Sequence, residues 1–298
     1  SACFSGALTL KEAIQIIRHR SRLQKPKQGE GEMLAVGMSR DEASEIIKPF
    51  GENVSIAATN SPFSVTIAGP KAIIENLQSK IEHKNLFCRK LNTGIAYHSA
   101  QMEGLHDEFV SSIDNLDPTD TRIPMLSTVT GGLVKGKELN AEHWWRNIRE
   151  PVVFDQVFTF LRNNQDMIFL EIGAHPVLSN SIYENLAHLD QSGQILPSMR
   201  RDDEEIKVLS DTAGRFFVNG YDLNWGHLMA PVNAELRLPS YPWQKERYWL
   251  NEFSPQINSG FKQPFIGRGI ESSVDLETWV WERAVNLKSH PILADHVV

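Results

Sequence analysis

Between residues 28 and 93 the chain alternates between two hydrophobic periods in an order that leaves few folds open. Met33 to Met38 reads as a short strand. Ser39 with Glu42 has capping-box spacing, and Ala43, Ile46 and Ile47 recur at helical period up to about Gly51. Val54 to Ala58 and Ser64 to Ala68 read as two strands around the turn Asn60-Ser61-Pro62. Gly69-Pro70 then opens a helix through Ile73, Ile74, Leu77 and Ile81, and Leu86 to Leu91 closes the series as a strand. The order is βαββαβ, which is the ferredoxin-like pattern and is compact enough to be inserted into a host domain.

The host lies on both sides of it. Thr9 and Glu12 form another capping box, and Ala13, Ile16 and Ile17 predict a helix to about Leu23. One more turn of that apolar stripe meets Arg20, whereas Arg18 and Arg22 fall on other faces, so one arginine is expected to point inward. After Gly94 comes a loop to His98, and then a helix with Met102, Leu105 and Phe109. Ile123 to Val129 predicts an apolar strand, Asn140 caps a helix carrying Trp144 and Trp145, and another helix runs from Pro151 to about Arg162. Met167 to Ile172 has the nearly unbroken apolar run of a parallel strand covered on both faces, followed by a helix over about Val177 to Leu189. Alternating strands and helices predict an α/β architecture. Past Ser192-Gly193 the periodicity breaks, Leu238 to Leu250 reads as an extended linker with aromatic anchors, and short β-type segments begin at Phe265.

Composition narrows the function. Thirty Lys+Arg against 37 Asp+Glu give a net charge of −7, with the basic residues scattered, which argues against a nucleic-acid partner. No apolar run reaches membrane-spanning length, and the two cysteines, Cys3 and Cys88, have no metal-ligand spacing. A reducing, cytoplasmic setting is the expectation. The chain begins without Met inside what reads as a structured segment, so it is expected to be part of something longer.

Two residues could carry chemistry. His98 precedes Ser99, a plausible N-cap, and the positive end of the following helix would favour a neutral, proton-accepting imidazole. The bland alternative is a loop histidine at a domain junction. Arg20 is either a snorkelling or ion-paired structural residue, or a buried guanidinium whose fork of donors matches a ligand carboxylate.

A series of segments decides between these readings. In order they are Ser5-Gly6-Ala7-Leu8-Thr9-Leu10, Glu32-Met33-Leu34-Ala35-Val36-Gly37, Ala96-Tyr97-His98-Ser99-Ala100-Gln101-Met102, Ser127-Thr128-Val129-Thr130-Gly131, Trp144-Trp145-Arg146-Asn147-Ile148-Arg149-Glu150-Pro151-Val152 and Glu171-Ile172-Gly173-Ala174-His175-Pro176-Val177-Leu178. Together they resemble the acyltransferase domain of type I modular polyketide synthases. Leu238-Pro239-Ser240-Tyr241-Pro242-Trp243-Gln244-Lys245-Glu246-Arg247-Tyr248-Trp249 resembles the linker that follows it. Pro264-Phe265-Ile266-Gly267 and Ser289-His290-Pro291-Ile292-Leu293-Ala294-Asp295-His296 resemble the opening of a dehydratase, with a non-catalytic pseudo-domain as the alternative.

The resemblance implies an α/β-hydrolase-like large subdomain over 1–27 and 94–192 and a ferredoxin-like subdomain over 28–93. It further implies a linker over 193–261 and the first strands of a hot-dog dehydratase over 262–298. It makes His98 the catalytic histidine, acting on a serine upstream of Ser1 in a Gly-His-Ser-x-Gly elbow. Without that serine the fragment alone is expected to be inert. Arg20 would hold the free carboxylate of a malonyl-type extender unit, and His296 would begin an incomplete dehydratase site. The selectivity motif reads Ile95-Ala96-Tyr97-His98, unlike either the malonyl form (His-Ala-Phe-His) or the methylmalonyl form (Tyr-Ala-Ser-His). The ring of Tyr97 favours malonyl, because it would crowd an α-methyl group worth about 1–3 kcal/mol in a pocket.

The implied substrates are a malonyl-type acyl-CoA and the phosphopantetheine arm of an acyl carrier protein, with no bound cofactor and no metal. Neighbouring ketosynthase and dehydratase domains are the implied partners, in a homodimeric parent. His175, at the carboxyl edge of a predicted strand, reads as a loop residue without a chemical step, and the tryptophans read as packing anchors. The rival functional readings are a docking or scaffold module of a megasynthase and an acyl hydrolase of related fold.

Overall fold

The computed structural model describes residues 1–162, 164, 167–228, 239–246, 268–275, 277–288 and 290–295. They fall into two compact units, residues 1–230 and 231–298.

In the first unit, α1 (Leu10–Gln24) starts at the expected capping box: Thr9 Oγ1 accepts from the Glu12 N–H at 3.2 Å, and Glu12 Oε2 accepts from the Thr9 N–H at 2.8 Å. The Thr9 hydroxyl also donates to Glu12 Oε2 at 2.6 Å and the Asp117 N–H to Oε1 at 2.9 Å, and the hydroxyl bond first, then the backbone bonds, hold the Glu12 pKa below the usual carboxylate range. Ile16 and Leu23 pass into a core with Met102, Phe109, Ile113, Trp145 and Ile148. Such a core forms because α4 (His106–Ser112) and α5 (Ala141–Arg149) turn apolar residues towards α1 at helical spacing.

The βαββαβ stretch folds in the expected order: β1 (Gly31–Val36), α2 (Arg40–Ile47), β2 (Ser55–Ser61), β3 (Ser64–Pro70), α3 (Lys71–Glu82) and β4 (Cys88–Leu91). The strands lie in the order β4-β1-β3-β2 with antiparallel pairing throughout. Leu34, Val36, Val65 and Ile67 from the strands pack with Ile74, Leu77 and Ile81 of α3, all at most 1% exposed. Each such side chain contributes about 1.5–3 kcal/mol on burial.

The other face of the sheet is built from small residues. Met33, Ala57 and Ala68 close against Ala96 of the loop that carries His98. Gly31 permits this approach: a Cβ there would lie 2.6 Å from the Ala96 backbone nitrogen.

Further contacts tie the inserted sheet to its host. The edge strand β2 pairs in parallel with β7 (Val152–Val153) through Ala58 and Thr59. At the β2–β3 tip, Asn185 Nδ2 donates to the Asn60 carbonyl at 2.8 Å, and Ser61 Oγ donates to Glu184, both partners lying on α7 (Ser179–His188).

Elsewhere the structure departs from the sequence expectations. The strand expected over Ile123 to Val129 shrinks to β5 (Leu126–Ser127), paired with β6 (Gly132–Leu133), because Ile123 is left exposed. The helix expected after Pro151 is one short turn, α6 (Phe154–Val157), continued as 3₁₀ to Leu161. The next strand, β8 (Met167–Glu171), is parallel as expected, but it pairs only with β9 (Gly193–Pro197) among the described residues and is not covered on both faces: Leu170 is 42% exposed and Ile172 just beyond it 77%.

The expected linker boundary at residue 193 falls inside this folded structure. Both β9 and the 14-residue α8 (Glu205–Val218) follow it, and α9 (Trp225–Leu228) comes next. Only Val208 and Thr212 of α8 are buried, which is too narrow a stripe to register as periodicity.

In the second unit, β10 (Arg268–Glu271) and β11 (Trp279–Glu282) form an antiparallel pair, with the rings of Trp279 and Trp281 stacked 6.3 Å apart. A 3₁₀ turn covers Pro291–Asp295. His296, residues 238 and 247–249 of the tail segment, and the segment 264–267 lie outside the described residues.

Candidate active site

The loop bearing His98 is pinned before it reaches the histidine. Ile95 is buried in the α1–α4–α5 core and Ala96 against the inserted sheet. Tyr97 is half-buried between those two cores. His98 itself has φ 58°, a left-handed backbone that costs an L-residue roughly 1–2 kcal/mol. Ser99 follows as an N-cap, accepting from the Gln101 N–H at 3.3 Å and donating to the Ala96 carbonyl at 2.7 Å. It caps a 3₁₀ turn, Ala100–Leu105, rather than the α-helix expected from the sequence.

His98 Nδ1 lies 2.8 Å from the backbone carbonyl of Glu150. A carbonyl can only accept, so Nδ1 carries the proton and Nε2 is left with its lone pair. The pKa of the ring is pushed down to about 4, first by burial and then by the positive charge of Arg20, with the bond to Glu150 opposing both. The imidazole is therefore neutral at physiological pH. The leading cause is desolvation, not the helix end invoked from the sequence.

Arg20, on the inner face of α1, is half-buried. Burial lowers its pKa and the neighbouring Tyr97 opposes the shift. Its Nη1 donates to Asn147 Oδ1 at 2.8 Å. Among the described residues no carboxylate pairs with it. Three other arginines do meet carboxylates: Arg22 with Glu108 at 2.8 Å, Arg146 with Glu150 at 2.9 Å and Arg149 with Glu103 at 2.5 Å. Arg20 and His98 thus fall within electrostatic reach of each other, with Tyr97 beside them. The arrangement can accept a proton at Nε2 and hold a carboxylate at the guanidinium.

Asn147 and Glu150 were not singled out from the sequence. Both lie in a recognisable motif, but Glu150 acts through its backbone carbonyl, which leaves no side-chain signature. His175 is exposed in the loop after β8, where its Nδ1 accepts from the Arg201 N–H at 3.3 Å. A cavity of about 560 Å³ between β9 and α8 is lined by charges of both signs, including Arg200, Asp203, Lys207 and Arg215, and shares no residue with the site. Among the described residues no cluster of three His, Cys, Asp or Glu side chains could hold a metal ion, and no helix is long and apolar enough to cross a membrane.

Comparison with known proteins bears on this geometry. The acyl transferase domain family matches residues 1–222. The spectinabilin polyketide synthase system protein NorA' of Streptomyces orinoci is 30% identical over all of this chain, which covers 8% of that protein. Erythronolide synthase EryA2 of Saccharopolyspora erythraea is 30% identical over 87% of the chain, covering 7% of its own length. The chain therefore spans less than a tenth of either relative.

Among solved structures, the acyltransferase domain from module 8 of the salinomycin polyketide synthase superposes with a TM-score of 0.73 at 28% identity, over 76% of this chain and 53% of that one. A loading acyltransferase from the avermectin modular polyketide synthase gives 0.70 at 26%, over 73% and 69%. The fold is mixed α/β like theirs, and the chain belongs to the acyltransferase domain family.

Proposed function

We propose that this chain serves a modular polyketide synthase by transferring a malonyl-type acyl group from coenzyme A to the phosphopantetheine thiol of an acyl carrier protein. The observation that carries the reading is a desolvated, neutral histidine with a free Nε2, electrostatically coupled to an arginine that no described carboxylate pairs.

In the first half-reaction, Nε2 of His98 takes the proton of a serine supplied upstream of Ser1. The serine oxygen bonds to the thioester carbon, the C–S bond breaks, and the imidazolium returns its proton to the coenzyme A thiolate. In the second half-reaction the pantetheine thiol gives its proton to Nε2, the sulfur attacks the acyl-serine ester, and the serine oxygen leaves with that proton. Arg20 would clamp the extender carboxylate by two parallel hydrogen bonds. The half-buried ring of Tyr97 supports a preference for malonyl over methylmalonyl.

On the same reading, the sheet of residues 28–93 is the ferredoxin-like subdomain of an α/β-hydrolase-like acyltransferase. The second unit begins a hot-dog dehydratase whose base would be His296, and the parent synthase is a cytoplasmic homodimer with neighbouring ketosynthase and dehydratase domains. The test is covalent labelling by radioactive malonyl-CoA in a domain with the upstream serine segment restored. Labelling that disappears in His98→Ala supports the transferase, whereas unchanged labelling removes His98 from the mechanism. Rapid release of the label as free malonate would favour an acyl hydrolase instead, and absence of labelling in the unsubstituted domain would favour a docking module.

A further inference from the structure

The carbonyl that orients His98 and the amide that holds Arg20 come from the same helix. Asn147 lies in the last turn of α5 and Glu150 caps that helix three residues later, so one helix end supplies the partner of both Arg20 and His98. The turn is rigidly seated: Trp145 and Ile148 are buried in the core, and Arg146 pairs with Glu150 across it at 2.9 Å. We infer that Asn147 is a positioning residue for substrate selection, fixing the Arg20 guanidinium at a set distance from His98 without neutralising it. This rests on the carboxylate-clamp reading proposed above.

The chemistry of the partner is what distinguishes this contact. An amide oxygen takes one N–H of Nη1, restrains a long side chain, and leaves the positive charge and the remaining donors of the fork for a ligand carboxylate. A carboxylate in the same place would compete with the extender unit for the guanidinium. The other paired arginines named above meet carboxylates, and each of those pairs is a satisfied structural contact. At Arg20 the restraint comes from a neutral group, so the cation is held in place and still available.

The test uses the domain with its upstream serine segment restored and compares malonyl-CoA with acetyl-CoA, which lacks the carboxylate. Asn147→Asp is expected to raise the KM for malonyl-CoA at least tenfold with a smaller change in kcat, and to cut the malonyl-to-acetyl preference by a similar factor. Asn147→Ala is expected to act in the same direction, about threefold. In an Arg20→Ala background, Asn147→Asp should change the malonyl KM by less than twofold, because the group it acts through is gone.

A merely structural asparagine, or a variant that folds poorly, would cost as much in that background as in the parent, and that result overturns the inference. Asn147 variants with unchanged malonyl KM while Arg20→Ala raises it would overturn the inference alone. Arg20→Ala with an unchanged malonyl KM would overturn the clamp itself, and the inference with it.

Discussion

His98 and His175 each stand in a loop within a motif quoted from the sequence, and the structure treats them oppositely. His98 is half-buried, fixed through Nδ1 to a backbone carbonyl and set within reach of the charge of Arg20. His175 sits in solvent beyond β8, with its Nδ1 occupied by the Arg201 N–H. The residue type is the same, and what differs is desolvation and company. A histidine becomes a candidate base through what its second nitrogen meets and which charges lie beside it.

Substitution at the two loops breaks the comparison most sharply. With the serine segment restored, His98→Ala should lower the rate of malonyl transfer by about 10²–10⁴-fold, the range typical of a general base. His175→Ala should stay within twofold of the parent when both rates are measured by rapid mixing. Equal losses would mean that desolvation does not distinguish the loops.

The next largest effect belongs to the arginine. Arg20→Ala should reduce kcat/KM for malonyl-CoA by about 10–100-fold, the value of a charged hydrogen-bonded pair at roughly 1.5–3 kcal/mol, while leaving acetyl-CoA transfer much less affected. Steady-state kinetics with both thioesters checks this.

A third substitution tests how the His98 loop is held. Gly31→Ala places a Cβ 2.6 Å from the Ala96 backbone nitrogen and 2.5 Å from Gln101 Oε1. It should cost about 1–3 kcal/mol in urea unfolding through overpacking, and it should slow transfer, since relief requires that loop to shift. A stable variant with full activity would show that the sheet and the loop do not share a tight contact.

The smallest effect is on pH dependence. Folding holds His98 neutral with a pKa near 4, against an ordinary value of 6.5, so the unfolded chain binds more protons between those values. The stability contributed by this residue is therefore complete above pH 6.5 and declines as pH falls towards 4. His98→Asn, which tolerates the left-handed backbone, should flatten the difference between urea unfolding at pH 7 and at pH 5. A slope unchanged by that variant would place the titration elsewhere.

The inserted sheet was almost fully legible because its signals are local. The capping box at Ser39, clean strand and helix periods, and Pro70 at a helix start each needed only a few adjacent residues. Arg20 was legible as a break in an apolar stripe. The helix α8 was not, because it buries only Val208 and Thr212, and β9 followed a change in composition that read as a linker. Within the site, His98 was found by its motif, but the cause of its neutrality was misjudged, since desolvation depends on tertiary packing that no local pattern shows. Asn147 and Glu150 escaped for a related reason: one matters through a partner far away in sequence, the other through an atom every residue possesses.

The central claim is that the base and the guanidinium share one site, and nitrogen-15 NMR of the histidine rings tests it on the chain as it stands. At neutral pH, His98 should carry its proton on Nδ1 and none on Nε2, titrate near pH 4, and shift to a higher pKa in Arg20→Ala as the neighbouring positive charge is removed. A His98 that titrates at its ordinary value, or whose pKa does not move when Arg20 is replaced, would contradict the account.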